Sequence, residues 1–255
     1  MPPVDTHLER REPRRTGHAR WVRVCHWLAA ASVLTLAFSG FVVLMSHPRL
    51  YWGEAGNDLT PALLELPISR NYKHGGWEQN AVFSAARPVV SATRTYDILN
   101  ENGWGRSLHF LSAWLLVATG AAYVVASVLT GHVGRDLVPR ARELAPRALW
   151  NDLAARLRKG AEPVVPGPPY GALQRCAYFG VAFVVLPLAV VTGLAMSPAI
   201  TAAYPFVAGV WGGAQSARTI HFFSFVVLVL FTGGHLFFAA RSGFGRQLRA
   251  LTWGD

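Results

Sequence analysis

Four stretches of this chain contain no Asp, Glu, Lys or Arg: residues 24–48, 107–134, 176–217 and 219–240. A helix that crosses a bilayer needs about 20 consecutive, mainly apolar residues, and each stretch can hold one. A soluble core helix can be as greasy, but four such runs in 255 residues do not fit a soluble domain. The composition agrees, with 15% charged residues where soluble domains carry about 25%. The sequence therefore predicts an all-α integral membrane four-helix bundle. Its spans are placed at about 24–45, 107–130, 174–196 and 217–240. Around them lie an N-terminal arm (1–23), an outer loop (46–106), an inner loop (131–173) and a C-terminal tail (241–255).

The third window is longer than one span requires. Its second half, from Ser197 to Ala217, contains Pro198, Pro205, Gly209, Gly212 and Gly213. That composition predicts a loop or a short interfacial helix, not a fifth crossing.

The net charge of +10 could indicate a nucleic-acid partner, were it gathered on a soluble face. Sorted by segment it reads differently. The arm carries six Arg and three acids, the 131–173 connection seven Lys+Arg and four acids, and the tail three Arg and one acid. The 47–106 connection is balanced with six of each sign, and the 197–218 connection has a single Arg. Lys and Arg collect on the cytoplasmic side of short loops. Both termini and the 131–173 loop are thus expected inside, with no nucleic-acid partner and with membrane lipid as surroundings. Val24 to Met45 is too long for an ordinary signal-peptide core, so the first span is expected to be retained. Cys25 and Cys176 both fall near inner span ends, where neither a disulfide nor an iron–sulfur cluster is expected.

The chemistry lies in nine histidines. His7 and His18 are in the arm, His47 and His74 in the outer loop, and His132 at the inner end of the second span. Four lie within spans: His26, His109, His221 and His235. An ionisable group inside a membrane is costly and marks a functional candidate; any one of them alone is equally an interfacial residue. Their arrangement is the informative part. His221 and His235 are 14 residues apart, about 40° short of four full helical turns, so they share a face about 21 Å apart along the axis. His109 matches the depth of His221, and His26 that of His235. Two level pairs follow, His109 with His221 outside and His26 with His235 inside.

Two facing imidazoles suit the two axial positions of a low-spin haem b. Zinc or copper would gather three or four ligands at one depth. No Cys-x-x-Cys-His occurs, so non-covalent haem is expected. Gly40 lies 14 residues after His26 and faces the outer level, while Gly180 and Gly193 fall near the inner and outer levels. Each is read either as room for a macrocycle or as an ordinary membrane glycine. Arg106 and Arg218, like Arg23 and Arg241, flank the spans at the two levels. They are read as partners of haem propionates or as plain interfacial anchors.

These residues resemble those of the bacterial di-haem cytochrome b membrane subunits of formate dehydrogenase, nickel–iron hydrogenase and thiosulfate reductase (bacterial cytochrome b561). The resemblance is carried by Arg23-Val-Cys-His26-Trp27 and Leu-Ala-Phe-Ser-Gly40 in the first span and Leu-His109-Phe in the second. Val-Thr-Gly193 in the third, and Ile-His221 with His235 in the fourth, complete it. It covers all four spans. It implies two haems b with the same pairing, a bacterial inner-membrane location, and electron transfer between a quinone and a catalytic subunit. It also implies a quinone site near one haem; the inner one would place Arg23, His26, Trp27 and His235 nearby. The 46–106 loop is longer than in the formate dehydrogenase subunits. It is similar to that of cytochromes accompanying periplasmic molybdopterin oxidoreductases. It is read either as a docking surface for such a partner or as a cap over the outer haem.

The expected function is a di-haem electron-transfer subunit rather than a stand-alone catalyst. Two other classes stay open. One is a haem-free proton-coupled transporter with a histidine relay, though such proteins usually have broken helices or inverted repeats. The other is a sensor or scaffold without cofactor.

Overall fold

A computed structural model of the chain describes residues 19–57, 60–69, 102–158 and 171–253. The arm with His7 and His18, the part of the outer loop with His74 and Trp77, and residues 159–170 of the inner loop lie outside the described residues.

In chain order the elements are α1 (Arg20–Ser46), the short strands β1 (Arg49–Leu50) and β2 (Leu64–Glu65), α2 (Asn102–Leu129) and α3 (Pro146–Leu157). They continue with α4 (Ala172–Gly180), α5 (Leu186–Ala195), α6 (Pro198–Ala203), α7 (Phe206–Gly209), α8 (Ala214–Arg241) and α9 (Phe244–Thr252). Among the described residues four helices are long and apolar enough to cross a bilayer: α1, α2, the α4–α5 segment and α8. Ser197 to Gly213 forms two short helices and turns and does not cross.

The helices run past the charge-free windows at most ends. At about 1.5 Å per residue, α1 is about 40 Å long against a hydrocarbon core of about 30 Å. Its first turn therefore sits at headgroup depth, where Arg20 and Arg23 keep their charge hydrated while the helix continues. The same holds for Arg106 and Arg241.

The third span is interrupted by a wide turn over Val181–Val185, where the Leu186 N–H reaches the Val181 carbonyl. Pro187 follows at once. Proline has no N–H to give and its ring crowds the preceding turn, so the ladder widens there.

The interior is built from small polar residues. Ser32, Ser39, Ser112, Thr119, Ser127, Thr192 and Ser224 are buried, while Leu111, Trp114, Val128 and Leu230 are exposed. Lipid is as apolar as leucine, so large side chains face outward and small ones let helices approach. Ser32, Ser39, Thr192 and Ser224 donate to the carbonyl one turn back, as Ser32 does to Leu28 and Ser224 to Ile220, which satisfies them within their own helix.

The bundle is two helix pairs. α1 packs on α2, and α5 packs on α8, with far less backbone approach between the pairs. Polar ties join them at both ends. At the upper end, away from the two chain ends, β1 and β2 pair antiparallel with Arg49 opposite Glu65. The chain then crosses to the start of α8. There the Gly53 carbonyl accepts from the N–H groups of Gln215 and Ser216, the Gly53 N–H donates to Ser216 Oγ at 2.7 Å, and Thr219 donates to the Tyr51 carbonyl at 2.6 Å. This satisfies two of the free N–H groups at the start of α8. Gly213 adopts φ +119°, and a Cβ there would collide with the Gly53 carbonyl. The first part of the outer loop is thus an ordered strap. At the lower end Arg23 donates to the Thr252 carbonyl and the Trp27 indole to that of Leu251, which fastens α9 to α1.

Candidate haem sites

The four intramembrane histidines project from both helix pairs into the space between them. At the upper level the ring centres of His109 on α2 and His221 on α8 are 6.2 Å apart. At the lower level those of His26 on α1 and His235 on α8 are 6.3 Å apart. A metal–nitrogen bond of about 2 Å on each side, plus about 1.2 Å from nitrogen to ring centre, separates two collinear imidazoles by about 6.4 Å. One axial iron between each pair fits that spacing. No cluster of three or more His, Cys, Asp or Glu side chains able to hold a metal occurs among the described residues. The donor set is therefore two nitrogens per level, which suits haem and not a zinc site.

The upper imidazoles are held through Nδ1. His109 Nδ1 lies 3.0 Å from Ser39 Oγ, and that hydroxyl lies 2.7 Å from the Thr35 carbonyl. A carbonyl only accepts, so the single hydroxyl hydrogen goes to Thr35 and Ser39 Oγ accepts from His109 Nδ1–H. His221 Nδ1 lies 2.9 Å from the Ala189 carbonyl and 3.1 Å from Thr192 Oγ1, whose own hydrogen goes to the Leu188 carbonyl at 2.6 Å. His221 is thereby also protonated on Nδ1. In both rings Nε2 keeps its lone pair, which is the form a metal-binding histidine takes when its other nitrogen donates a hydrogen bond.

Glycine completes each cradle. A Cβ on Gly40 would stand 3.3 Å from His109 Cε1, and one on Gly193 would stand 3.5 Å from His221 Cε1. Both glycines make room beside a histidine ring, whereas Gly180 faces open space. Ser39 and Thr192, each 0% exposed, are site residues that a search for ionisable groups passes over. Their signal is a hydroxyl residue directly before a glycine, at 39–40 and again at 192–193.

The lower level is built from rings. His235 stacks on Phe231 one turn earlier at 5.8 Å and 20°. Tyr178 meets His235 edge-on at 5.9 Å, with its hydroxyl 3.4 Å from Nδ1. His26 meets Trp27 edge-on at 5.4 Å. Trp27 also lines a groove of about 430 Å³ between α1 and α9, with Arg20, Arg23, Val24, Leu28 and Leu251.

Of the arginines, Arg106 and Arg218 both lie in the first turns of their helices at the upper end. At the lower end Arg23 and Arg241 donate to backbone carbonyls of Thr252 and Leu157. Arg175, 1% exposed, pairs with Glu143 at 3.4 Å. His132 is occupied by Asp136 at 2.8 Å and by the edge of Trp21. Cys25 and Cys176 are free thiols.

A protein of Azospira oryzae is 28% identical over 220 residues, covering 86% of this chain and 87% of its own. It carries the provisional name protein-methionine-sulfoxide reductase subunit YedZ1. The sequence profile of the family described as prokaryotic cytochrome b561 matches residues 17–254. With four membrane-spanning helices and two facing histidine pairs between them, the chain belongs to the prokaryotic cytochrome b561 family.

Proposed function

We propose that this chain is a di-haem electron-transfer subunit linking the quinone pool to an oxidoreductase on the periplasmic face of the bacterial inner membrane. As a family member it is a membrane haem b protein of electron transfer. The observation that carries the finer reading is the pair of level-matched histidine couples, at 6.2 and 6.3 Å.

In this reading Nε2 of His109 and His221 holds one haem iron, and the ring nitrogens of His26 and His235 hold the other. Bound haem b supplies reversible one-electron chemistry at iron. The chain's own work is to hold four imidazoles, exclude water and place two sites about 21 Å apart along α8, a separation set by the 14 residues between His221 and His235. Arg106 and Arg218 offer guanidinium donors to the carboxylates of the upper haem. The lower groove beside Trp27 fits a quinone headgroup, with the indole between the groove and His26. A quinol bound there gives up two electrons and two protons, the electrons leaving one at a time. The strap from Pro48 to Gly53 covers the upper level, and the partner docks on that side. The name of the Azospira relative favours a reductase as partner, with electrons running from quinol outward; a molybdopterin cofactor in that partner fits the length of the outer loop.

The visible spectrum of the purified chain tests this. Dithionite reduction is expected to give split α bands, and pyridine haemochrome two haems b per chain. A folded, colourless protein overturns the reading and leaves the histidine-relay transporter standing. Reduction of one haem by a short-chain quinol, blocked by a quinone-site inhibitor, tests the groove.

A further inference from the structure

Two segments on different helices repeat one device. On α1, Ser39 accepts from His109 Nδ1–H and Gly40 makes room beside the same ring. On α5, Thr192 accepts from His221 Nδ1–H and Gly193 makes room beside that ring. In both, the hydroxyl hydrogen is committed to the carbonyl four residues back, at 2.7 Å for Ser39 and 2.6 Å for Thr192. The oxygen is thereby left as an acceptor only. Both residues are fully buried, so no bulk water competes for the imidazole N–H.

We propose that Ser39-Gly40 and Thr192-Gly193 are paired positioning clamps. They fix the tautomer and rotation of the two upper imidazoles and lower the reduction potential of the upper haem. The inference rests on the bis-histidine reading above. Its physical basis is that an imidazole whose Nδ1–H is drawn toward an acceptor becomes a stronger electron donor through Nε2. A stronger donor favours ferric over ferrous iron. The two clamps are alike in a further respect: each ring also has a backbone carbonyl three residues before its clamp residue, Ala189 at 2.9 Å for His221 and Leu36 for His109, which no side-chain substitution removes.

Redox potentiometry of the purified haem-loaded chain tests the proposal, with Ser39→Ala, Thr192→Val and the conservative Ser39→Thr and Thr192→Ser. Wild-type chain carrying two haems, and loss of one haem in His109→Ala, first establish the underlying reading; failure there counts against that reading and not against the clamps. Given both, Ser39→Ala is expected to keep two haems and to raise one midpoint by a shift approaching tenfold in the oxidised-to-reduced ratio, about 59 mV for one electron. Thr192→Val is expected to raise the same midpoint as well. The other midpoint stays in place, and the conservative variants return the first to its wild-type value. The low-spin ferric g-values of the upper haem are expected to change in Ser39→Ala, because the ring is freed to rotate. Two bound haems with neither midpoint nor g-values altered in Ser39→Ala overturn the proposal. Should Ser39→Ala bind only one haem, Thr192→Val decides: a raised upper midpoint supports the clamps, and an unchanged one overturns them.

Discussion

The upper and lower histidine pairs share a spacing and differ in almost everything around it. His109 and His221 are tied by Nδ1 hydrogen bonds to buried hydroxyls and backbone carbonyls, beside glycines that stand against their rings. His235 rests on Phe231 and against Tyr178, whose hydroxyl lies a longer 3.4 Å from its Nδ1, and His26 rests against Trp27. Hydrogen bonds fix the direction of a ring and bias its electronic state. Aromatic contacts fix its plane and keep water away while leaving it free to adjust. The end connections follow the same division. The strap at the upper end is built on backbone hydrogen bonds, the buried hydroxyls of Ser216 and Thr219, and a glycine that admits no side chain, whereas the lower end is closed by helix α9, held to α1 through two side-chain donors. The upper pair is held by hydrogen bonds to buried hydroxyls, and the lower pair is packed among aromatic rings.

The sharpest way to break this comparison is to remove ligands one at a time. His109→Ala and His221→Ala are each expected to lower haem content from two per chain to one and to erase the same α-band component. His26→Ala and His235→Ala are expected to erase the other. Pyridine haemochrome and low-temperature difference spectra check it, and a His109→Ala chain that loses the His26–His235 component instead refutes the pairing.

Next in size is the strap. Gly213→Ala puts a Cβ into the Gly53 carbonyl at a φ that L-residues avoid, at a cost of about 1–3 kcal/mol. Thermal loss of the upper haem signal is expected several degrees earlier, with the lower signal following the wild type. Equal destabilisation of both signals would mean that the ends are not separately held.

Smaller effects grade the glycines. Gly40→Ala brings a Cβ to 3.3 Å from the His109 ring and Gly193→Ala one to 3.5 Å from His221, while Gly180 faces open space. Disturbance of the upper haem spectrum is expected to fall in that order. Gly180→Ala is expected to be silent or stabilising by up to about 1 kcal/mol through helix propensity.

A local effect is expected from Trp27→Phe, which deletes the hydrogen bond to the Leu251 carbonyl and about 0.5–1.5 kcal/mol with it. Release of α9 is expected to show as faster proteolysis of the C-terminal tail, with both haems retained. A change in quinol reduction rate in the same variant would tie the groove to the lower site.

Much of this architecture was legible because a bilayer is a demanding solvent. Excluding charge from 24–48, 107–134, 176–217 and 219–240 locates helices more reliably than propensity does in water, since each buried charge costs several kcal/mol. Helical geometry then converts the 14 residues between His221 and His235 into one face and two depths. The helix ends were less legible, because a helix continues through the headgroup layer after its sequence has turned polar, as at Arg20 and Arg106. The wide turn at Val181–Val185 was signalled only by Pro187, and proline does not say how the strain is distributed. Ser39 and Thr192 escaped notice as site residues because serine and threonine are ordinary packing residues in membrane helices, and only a partner identifies one as an acceptor.

The sequence by itself determined the number of spans, the two levels of histidine and the family, because those follow from solvent exclusion and from the regular rise and turn of a helix. Only the tertiary structure decided which helices pair, that both glycines stand against histidine rings, that Nδ1 carries the proton in His109 and His221, and that the chain after α1 straps the start of α8. Those outcomes depend on contacts between residues as far apart as Gly53 and Ser216 or Ser39 and His109. They arise where helices with no hydrophobic force between them settle their remaining polar groups against one another.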